Sequence, residues 1–133
     1  MSDYNFDEWL SSLDLEFFGT GQHKIEPAQL LKRWSEGEDI VVLDVRSDEE
    51  VKYIAFPFMR HIPIQELPHR YQELPEDRPI AVFCSSGARS AIAYAYLQLK
   101  GFEKVRILHA GTAEMGAVLK PGQIRALEQR EVE

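Results

Sequence analysis

The chain contains three short runs of consecutive apolar residues, and each is followed by a stretch with helical spacing. The runs cover residues 40–43, 80–83 and 105–108. Strands that are buried on both faces read as continuous apolar runs rather than as an alternation of apolar and polar residues. The order of these segments therefore predicts an α/β fold, in which a parallel sheet carries helices on both faces.

The ends of the intervening helices are marked by particular residues. Pro27 suits the first turn of a helix, and Gly101 suits the position just after the last turn. Ser47 and Glu50 have the spacing of a capping box. We predict helices that begin near residues 27, 48, 65, 88 and 111. We also expect Pro68 to break or delay the third helix, and residues 61–64 to form a short edge strand.

The first 22 residues have an apolar pattern of their own. Its members recur at spacings of three and four, and they are Phe6, Trp9, Leu10, Leu13 and Phe17. This spacing places them on one face of a short helix. We expect the stripe to cover the chain's own domain, and the alternative is a docking segment for a partner or a second copy.

The composition agrees with a single globular domain, and the net charge disfavours two classes of binding partner. The chain has 133 residues, 44% of them hydrophobic and 28% charged, and a net charge of −7. Nucleic acids and anionic membranes attract basic surfaces, so we expect neither as a partner. The acidic N-terminus is unlike a secretory signal, so we expect a cytoplasmic protein. We divide the chain into an amphipathic extension, a domain and a charged tail, at residues 1–22, 23–120 and 121–133.

A single cysteine stands at the end of the second apolar run. Small residues and an arginine follow Cys84, namely Ser85, Ser86, Gly87, Ala88 and Arg89. Small residues let the backbone curl tightly, so that several amide N–H groups at a helix N-terminus can point at one anion. In such surroundings the pKa of a cysteine falls from about 8.5 to roughly 3.5–7.5. We therefore expect a catalytic thiolate, and the alternative is an inert core cysteine.

The pattern Cys-x-x-Gly-x-Arg-Ser at residues 84–90 resembles the active-site loop of rhodanese-type sulfurtransferases. The element Asp44-Val45-Arg46, with Glu50 four residues later, resembles the family's Asp-Val-Arg-x-x-x-Glu element. Weaker matches elsewhere extend the resemblance to about residues 23–120. It implies a rhodanese-like parallel sheet with helices on both faces, plus an N-terminal helical extension that lies outside the match.

The resemblance also implies a reaction. In this family the cysteine thiolate takes the outer, sulfane sulfur of a donor such as thiosulfate or a persulfide, and a thiophilic acceptor then removes it. Cys84 would carry the sulfur, and the backbone amides from Ser85 to Arg89 would bind the charged sulfur. The implied partners are a small sulfur donor and a thiophilic acceptor, either of which could be a protein. No cofactor is implied.

One segment departs from the family pattern. Residues 54–59 read Ile-Ala-Phe-Pro-Phe-Met, where many members have Gly-His-Ile-Pro-Gly-Ala. We expect a loop of different shape and greater hydrophobicity. This bulk favours an alternative function, a noncatalytic or regulatory module that binds a protein partner. The intact Cys84, Gly87 and Arg89 favour the enzyme.

A third alternative is a phosphatase or arsenate-reductase-like activity. Six residues, from Cys84 through Arg89, close the loop. Protein tyrosine phosphatases and the related cell-cycle phosphatases have one more residue between cysteine and arginine, and their larger ring suits a tetrahedral phosphate. The shorter loop therefore favours sulfur transfer.

Other polar residues are interpreted as structural. We expect Asp44 and Arg46 to pair near a strand end, with Arg46 also bonding to Glu50 or to loop carbonyls. The four histidines lack the spacing of metal ligands, so we expect no metal site. They are His23, His61, His69 and His109.

Overall fold

A computed structural model describes residues 5–119, 122 and 125, and within them five strands form one sheet. The strands are β1 (Lys24–Ile25), β2 (Val41–Asp44), β3 (Arg60–His61), β4 (Ile80–Phe83) and β5 (Val105–Leu108). Their order is β1-β5-β4-β2-β3, and every neighbouring pair is parallel. The predicted parallel sheet is therefore confirmed. The sequence did not predict β1, because two residues are too few to give a periodic signal.

Seven helices accompany the sheet in the described part of the chain. They are α1 (Phe6–Ser11), α2 (Leu15–Gly19), α3 (Pro27–Ser35), α4 (Asp48–Tyr53), α5 (Leu67–Arg70), α6 (Ala88–Leu99) and α7 (Thr112–Val118). Short 3₁₀ turns at Ile64–Glu66 and Tyr71–Glu73 flank α5. The helical stretch near residue 65 is thus broken, as expected from Pro68, whose ring and missing N–H disfavour a continuous helix.

Helices cover both faces of the sheet, as predicted. Successive residues of a strand point to opposite faces. Val82 and Cys84 pack in one apolar cluster with residues of α1, α5 and α6. Ala81 and Phe83 pack in the other cluster with residues of α3 and α7. Both clusters are closed to water, so all four residues of β4 are buried.

The N-terminal extension folds as two short helices, so the prediction of one continuous helix is wrong. The break between the two helices lies at Asp14, which caps the N-terminus of α2. Its Oδ1 accepts a hydrogen bond from the Phe17 amide at 2.9 Å. Part of the apolar stripe lies on its own domain, as expected, through Trp9, Leu13 and Phe17, whereas Phe6 and Leu10 are 52% and 49% exposed. Trp9 is buried in the α6-side cluster, with its ring centroid 6.2 Å from that of Tyr94.

The topology brings the ends of three strands to one edge of the sheet. Asp44 pairs with Phe83 in the register of β2 and β4, and Val82 pairs with Ile107 of β5. The loops that follow Asp44, Phe83 and Leu108 therefore leave the sheet side by side. Such an edge is where ligands bind in open α/β sheets.

Within the described residues no helix combines the length and the apolar character that crossing a bilayer requires. The predicted charged tail at residues 121–133 lies outside the described part of the chain, apart from Gly122 and Arg125.

Candidate active site

Cys84 directly follows β4 and begins the turn into α6. Its neighbours Ser85 and Ser86 are exposed, whereas Cys84 itself is only 1% exposed. Gly87 precedes the first residue of α6 with φ of 93°, a left-handed conformation that glycine adopts without steric cost. The left-handed turn reverses the chain so that the loop closes over the sulfur.

The sulfur atom is surrounded by hydrogen-bond donors from this loop. The amide of Gly87 donates to Sγ at 2.9 Å, and the amide of Ser90 donates to Sγ at 3.3 Å. The Ser90 hydroxyl oxygen lies 3.4 Å from Sγ. Sequence reasoning placed the donors between Ser85 and Arg89 and missed Ser90, although the serine after the arginine belongs to the quoted pattern.

These contacts set the pKa of the thiol. Burial raises the pKa of Cys84, but hydrogen bonds from the hydroxyl and amide of Ser90 and from the amides of Ser86 and Gly87 lower it by more. The net effect is a pKa below the ordinary value of a cysteine. The loop therefore favours the thiolate, which is the nucleophilic form.

The Ser90 hydroxyl has two acceptors within reach but only one proton. It donates to the carbonyl oxygen of Gly87 at 3.0 Å, and it lies beside Sγ. When Cys84 is a thiol, the S–H can donate to Ser90 Oγ while Oγ donates to Gly87. When Cys84 is a thiolate, the hydroxyl proton can turn to the sulfur, because an anion is the stronger acceptor.

Arg89 braces the loop from outside. Its guanidinium donates to both carboxylate oxygens of Glu50, at 2.6 and 2.9 Å, and to Ser85 Oγ at 3.0 Å. These hydrogen bonds lower the pKa of Glu50 and raise that of Arg89. Of the two partners expected for Arg46, Glu50 or loop carbonyls, Glu50 is bound by Arg89 instead.

Asp44 and Arg46 form a buried pair at the end of β2. Each is 2% exposed, and Arg46 Nη2 donates to Asp44 Oδ2 at 2.8 Å. Arg46 also donates to the carbonyl oxygen of Ile54 at 2.9 Å, which is the expected type of loop carbonyl. His61 Nε2 lies 2.7 Å from the carbonyl oxygen of Arg46. The pair thus ties the loop before β3 to the edge of the sheet beside Cys84.

A pocket of about 460 Å³ borders the loop on the β5 side. Its lining residues are Glu26, Ser85, Ser86, Gly87, Ile107, Leu108, His109, Ala110, Gly111 and Glu114. Gly111 lies so close to the loop that an added Cβ would meet the carbonyl oxygen of Ser85 at 2.7 Å. The start of α7 therefore packs directly against the residue that follows Cys84.

The bulky side chains of residues 54–59 turn mainly inward. Phe58 and Met59 are buried in the cluster on the α3 side of the sheet. Phe56 packs edge-on against Phe83, with ring centroids 5.7 Å apart. These three side chains therefore fill space behind the sheet edge, whereas Ile54 of the same segment is 51% exposed.

Metal-ligating side chains do not cluster in the described part of the chain. Across residues 5–119, 122 and 125, no three side chains of His, Cys, Asp or Glu come together in a way that could hold a metal ion.

Comparison with known proteins decides the family. The family model for the rhodanese-like domain matches residues 27–117 of the chain. The chain belongs to the rhodanese-like domain family. Strands β2 to β5, the cysteine loop and the Asp-Val-Arg element all fall within the matched segment, whereas α1, α2 and β1 precede it.

Relatives and solved structures agree with this assignment. A sulfurtransferase from Allochromatium vinosum is 34% identical over 89 residues, which cover 67% of this chain and 83% of that protein. A rhodanese-related protein from Thermoplasma volcanium superposes with a TM-score of 0.61 at 26% identity, covering 74% of this chain and 95% of that one. A rhodanese-like domain protein from Staphylococcus aureus shares the fold, with a TM-score of 0.63 at 24% identity over 70% of this chain and 90% of that one.

Proposed function

We propose that this protein is a rhodanese-type sulfurtransferase in which Cys84 carries the sulfur. The observation that carries the proposal is the set of hydrogen bonds that Gly87 and Ser90 direct at Sγ. They lower the pKa of the only cysteine in the chain, at the sheet edge where ligands of such folds bind. The name of the Allochromatium vinosum relative supports the same activity.

The proposed reaction is a double displacement. The Cys84 thiolate attacks the outer sulfur of a sulfane donor and forms a new S–S bond. The donor's own S–S bond breaks, and its electron pair leaves with sulfite if the donor is thiosulfate, or with a thiolate if it is a persulfide. A thiophilic acceptor then attacks the outer sulfur and returns Cys84 to the thiolate.

The burial of Cys84 is compatible with this cycle. A persulfide places its outer sulfur about 2 Å beyond Sγ, the length of an S–S bond. Ser85, Ser86 and Gly87, which follow Cys84, are more exposed than it is, so an outer sulfur that extends toward them approaches solvent. The amides that stabilise the thiolate also stabilise the departing thiolate in the second step, as preorganised donors do for developing charge.

The contacts of Arg89 in the six-residue loop support sulfur transfer over the phosphatase alternative. Within the ring from Cys84 to Arg89, the Gly87 amide already contacts Sγ, and the Arg89 guanidinium is turned to Glu50 and Ser85. A phosphatase needs an arginine that binds the phosphate oxygens. Here that guanidinium is occupied by a carboxylate.

Intact-mass spectrometry tests the proposal directly. The reduced protein is incubated with thiosulfate and, separately, with the persulfide of a small alkyl thiol. We expect the mass of one sulfur atom to be added, to be removed again by an added thiol, and to be absent in Cys84→Ser. Wild-type protein that gains no sulfur from either donor would contradict the proposal.

A further inference from the structure

The pocket beside the active-site loop carries negative charge. Glu26 and Glu114 both line it, and among the described lining residues there is no lysine or arginine. The loop itself contributes serines, a glycine and backbone amides to this wall. A donor that approaches the active-site loop from this side therefore meets a wall that contains two carboxylates.

The cations near the pocket are already engaged by carboxylates. His109 Nδ1 lies 3.0 Å from Glu26 Oε1, and Lys24 Nζ lies 3.5 Å from the same oxygen. Both contacts lower the pKa of Glu26, the hydrogen bond from His109 most strongly, so Glu26 is ionised at neutral pH. Arg89 is bound to Glu50. Each of these basic groups therefore faces a carboxylate, and Lys24 in turn offsets part of the charge of Glu26.

The start of α7 is closed to anions as well. The amide of Gly111 donates to Glu114 Oε2 at 2.5 Å, so the helix supplies its own carboxylate to its N-terminus. That carboxylate takes the position that an anionic donor would need. The net result is a pocket whose fixed charge repels sulfonate and carboxylate groups.

We propose that Glu26 and Glu114 select the sulfur donor: the pocket disfavours dianionic thiosulfate and admits the persulfide of a thiol with a neutral or positively charged body. This inference rests on the proposed function and narrows its donor. In the step, Sγ of the Cys84 thiolate bonds to the outer sulfur of R–S–SH, and the R–S bond to that sulfur breaks. The electron pair leaves with R–S⁻, which takes the proton from the new persulfide and departs as R–SH.

The test compares small donors of different charge, and because their leaving groups also differ in pKa, the salt dependence and the Glu variants isolate the effect of charge. The persulfides of cysteamine, 2-mercaptoethanol and 3-mercaptopropionate carry cationic, neutral and anionic bodies on similar short chains, and thiosulfate is the dianion. The rate of sulfur addition to Cys84 is measured by intact mass at low and at high salt. We expect the rate to fall from cationic to neutral to anionic persulfide, with thiosulfate slowest, and the spread to shrink at high salt because salt screens the carboxylates.

Matched variants assign the effect to the two carboxylates. Glu26→Gln and Glu114→Gln remove one charge each, and a glutamine at 114 still offers an oxygen to the Gly111 amide. We expect each to speed loading from thiosulfate by about three- to tenfold and to slow loading from cysteamine persulfide. Glu76→Gln is the control, because Glu76 is exposed and precedes β4 at the opposite edge of the sheet, and it should leave the ranking unchanged.

The outcomes separate the two proposals. Loading of Cys84 at equal rates from all four donors, or fastest from thiosulfate, overturns the inference and leaves the proposed sulfur transfer standing. A ranking that is equally steep and equally salt-dependent in the Glu26→Gln/Glu114→Gln double variant also overturns it, since the selection by charge would then come from elsewhere. Wild-type protein that takes sulfur from none of the four donors overturns both.

Discussion

Arg89 and Glu50 join two parts of the chain that lie 39 residues apart. The guanidinium of Arg89, in the first turn of α6, contacts both carboxylate oxygens of Glu50 on α4. Because Arg89 also donates to Ser85, this pair connects α4 to the loop that surrounds Cys84. The geometry of the loop therefore depends on a contact outside it.

Replacing Glu50 should change the acid stability of the protein. The pKa of Glu50 in the folded protein is lowered from its ordinary value of 4.5, mainly by Arg89. A lowered folded-state pKa gives stability that is present above 4.5 and is lost as the pH falls further, because the unfolded chain binds the proton first. We expect Glu50→Gln to cost about 1 kcal/mol at neutral pH. It should also flatten the loss of stability below pH 4.5, measured by urea unfolding at a series of pH values.

Glu49→Gln provides the control for this experiment. Glu49 lies on the same helix and is exposed, so the variant changes the net charge equally without touching Arg89. Its unfolding free energy should follow that of the wild type across the pH series. Parallel behaviour of the Glu49 and Glu50 variants would contradict the role assigned to the Arg89 contact.

Removing the Ser90 hydroxyl should raise the pKa of Cys84. The hydroxyl and amide of Ser90 both lower that pKa, and Ser90→Ala deletes the hydroxyl alone. We expect the rate of Cys84 alkylation by iodoacetamide to rise at a higher pH than in the wild type. Ser86→Ala is the control, because it keeps the Ser86 amide and removes only an exposed side chain. Coincident pH profiles for Ser90→Ala and the wild type would show that the hydroxyl does not stabilise the thiolate.

Much of the fold was predictable because buried strands and helix ends leave local signals. The apolar runs at residues 80–83 and 105–108 coincide with β4 and β5, and Gly101 follows the last turn of α6 with φ of 97°. These features depend on residues adjacent in sequence. The break between α1 and α2 also has a local cause, the cap at Asp14, but the apolar spacing continues across it and conceals it.

The contacts of the candidate site were harder to predict because they join distant segments. Glu50 is near Arg46 in sequence, yet it binds Arg89, while Arg46 is satisfied by Asp44 and by the carbonyl of Ile54. Spacing alone cannot choose between two arginines for one carboxylate. The approach of Gly111 to Ser85 likewise depends on how α7 packs against the loop after β4.

An alanine at position 111 should disturb the active-site loop. Its Cβ would lie 2.7 Å from the Ser85 carbonyl oxygen, a backbone atom that cannot move without moving the loop. We expect Gly111→Ala to destabilise the protein by about 1–3 kcal/mol and to shift the pH profile of Cys84 alkylation.

Gly116→Ala is the matched control for this clash. Gly116 lies inside α7, and a Cβ there meets no atom within 4 Å. Alanine is the better helix former, so this variant should be stabilised by about 0.5–1 kcal/mol. Thermal unfolding measures both changes. A Gly111→Ala protein as stable as Gly116→Ala, with unchanged alkylation, would contradict the close packing of α7 on the loop.

Truncating Trp9 should reveal how firmly the N-terminal extension is held. Trp9 is 9% exposed and packs against Tyr94, whereas Leu10 on the same helix is 49% exposed. Loss of a buried tryptophan costs about 3–5 kcal/mol where the site cannot relax. Here the cost is limited to the free energy of docking α1 and α2, because they can detach while the sheet stays folded.

We therefore expect Trp9→Ala to lose about 2–3 kcal/mol in urea unfolding and to expose the extension to proteolysis. Leu10→Ala should stay within about 0.5 kcal/mol of the wild type. Equal effects of the two variants would mean that the apolar stripe is not secured by its own domain, and the alternative of a docking segment for another protein would then be favoured.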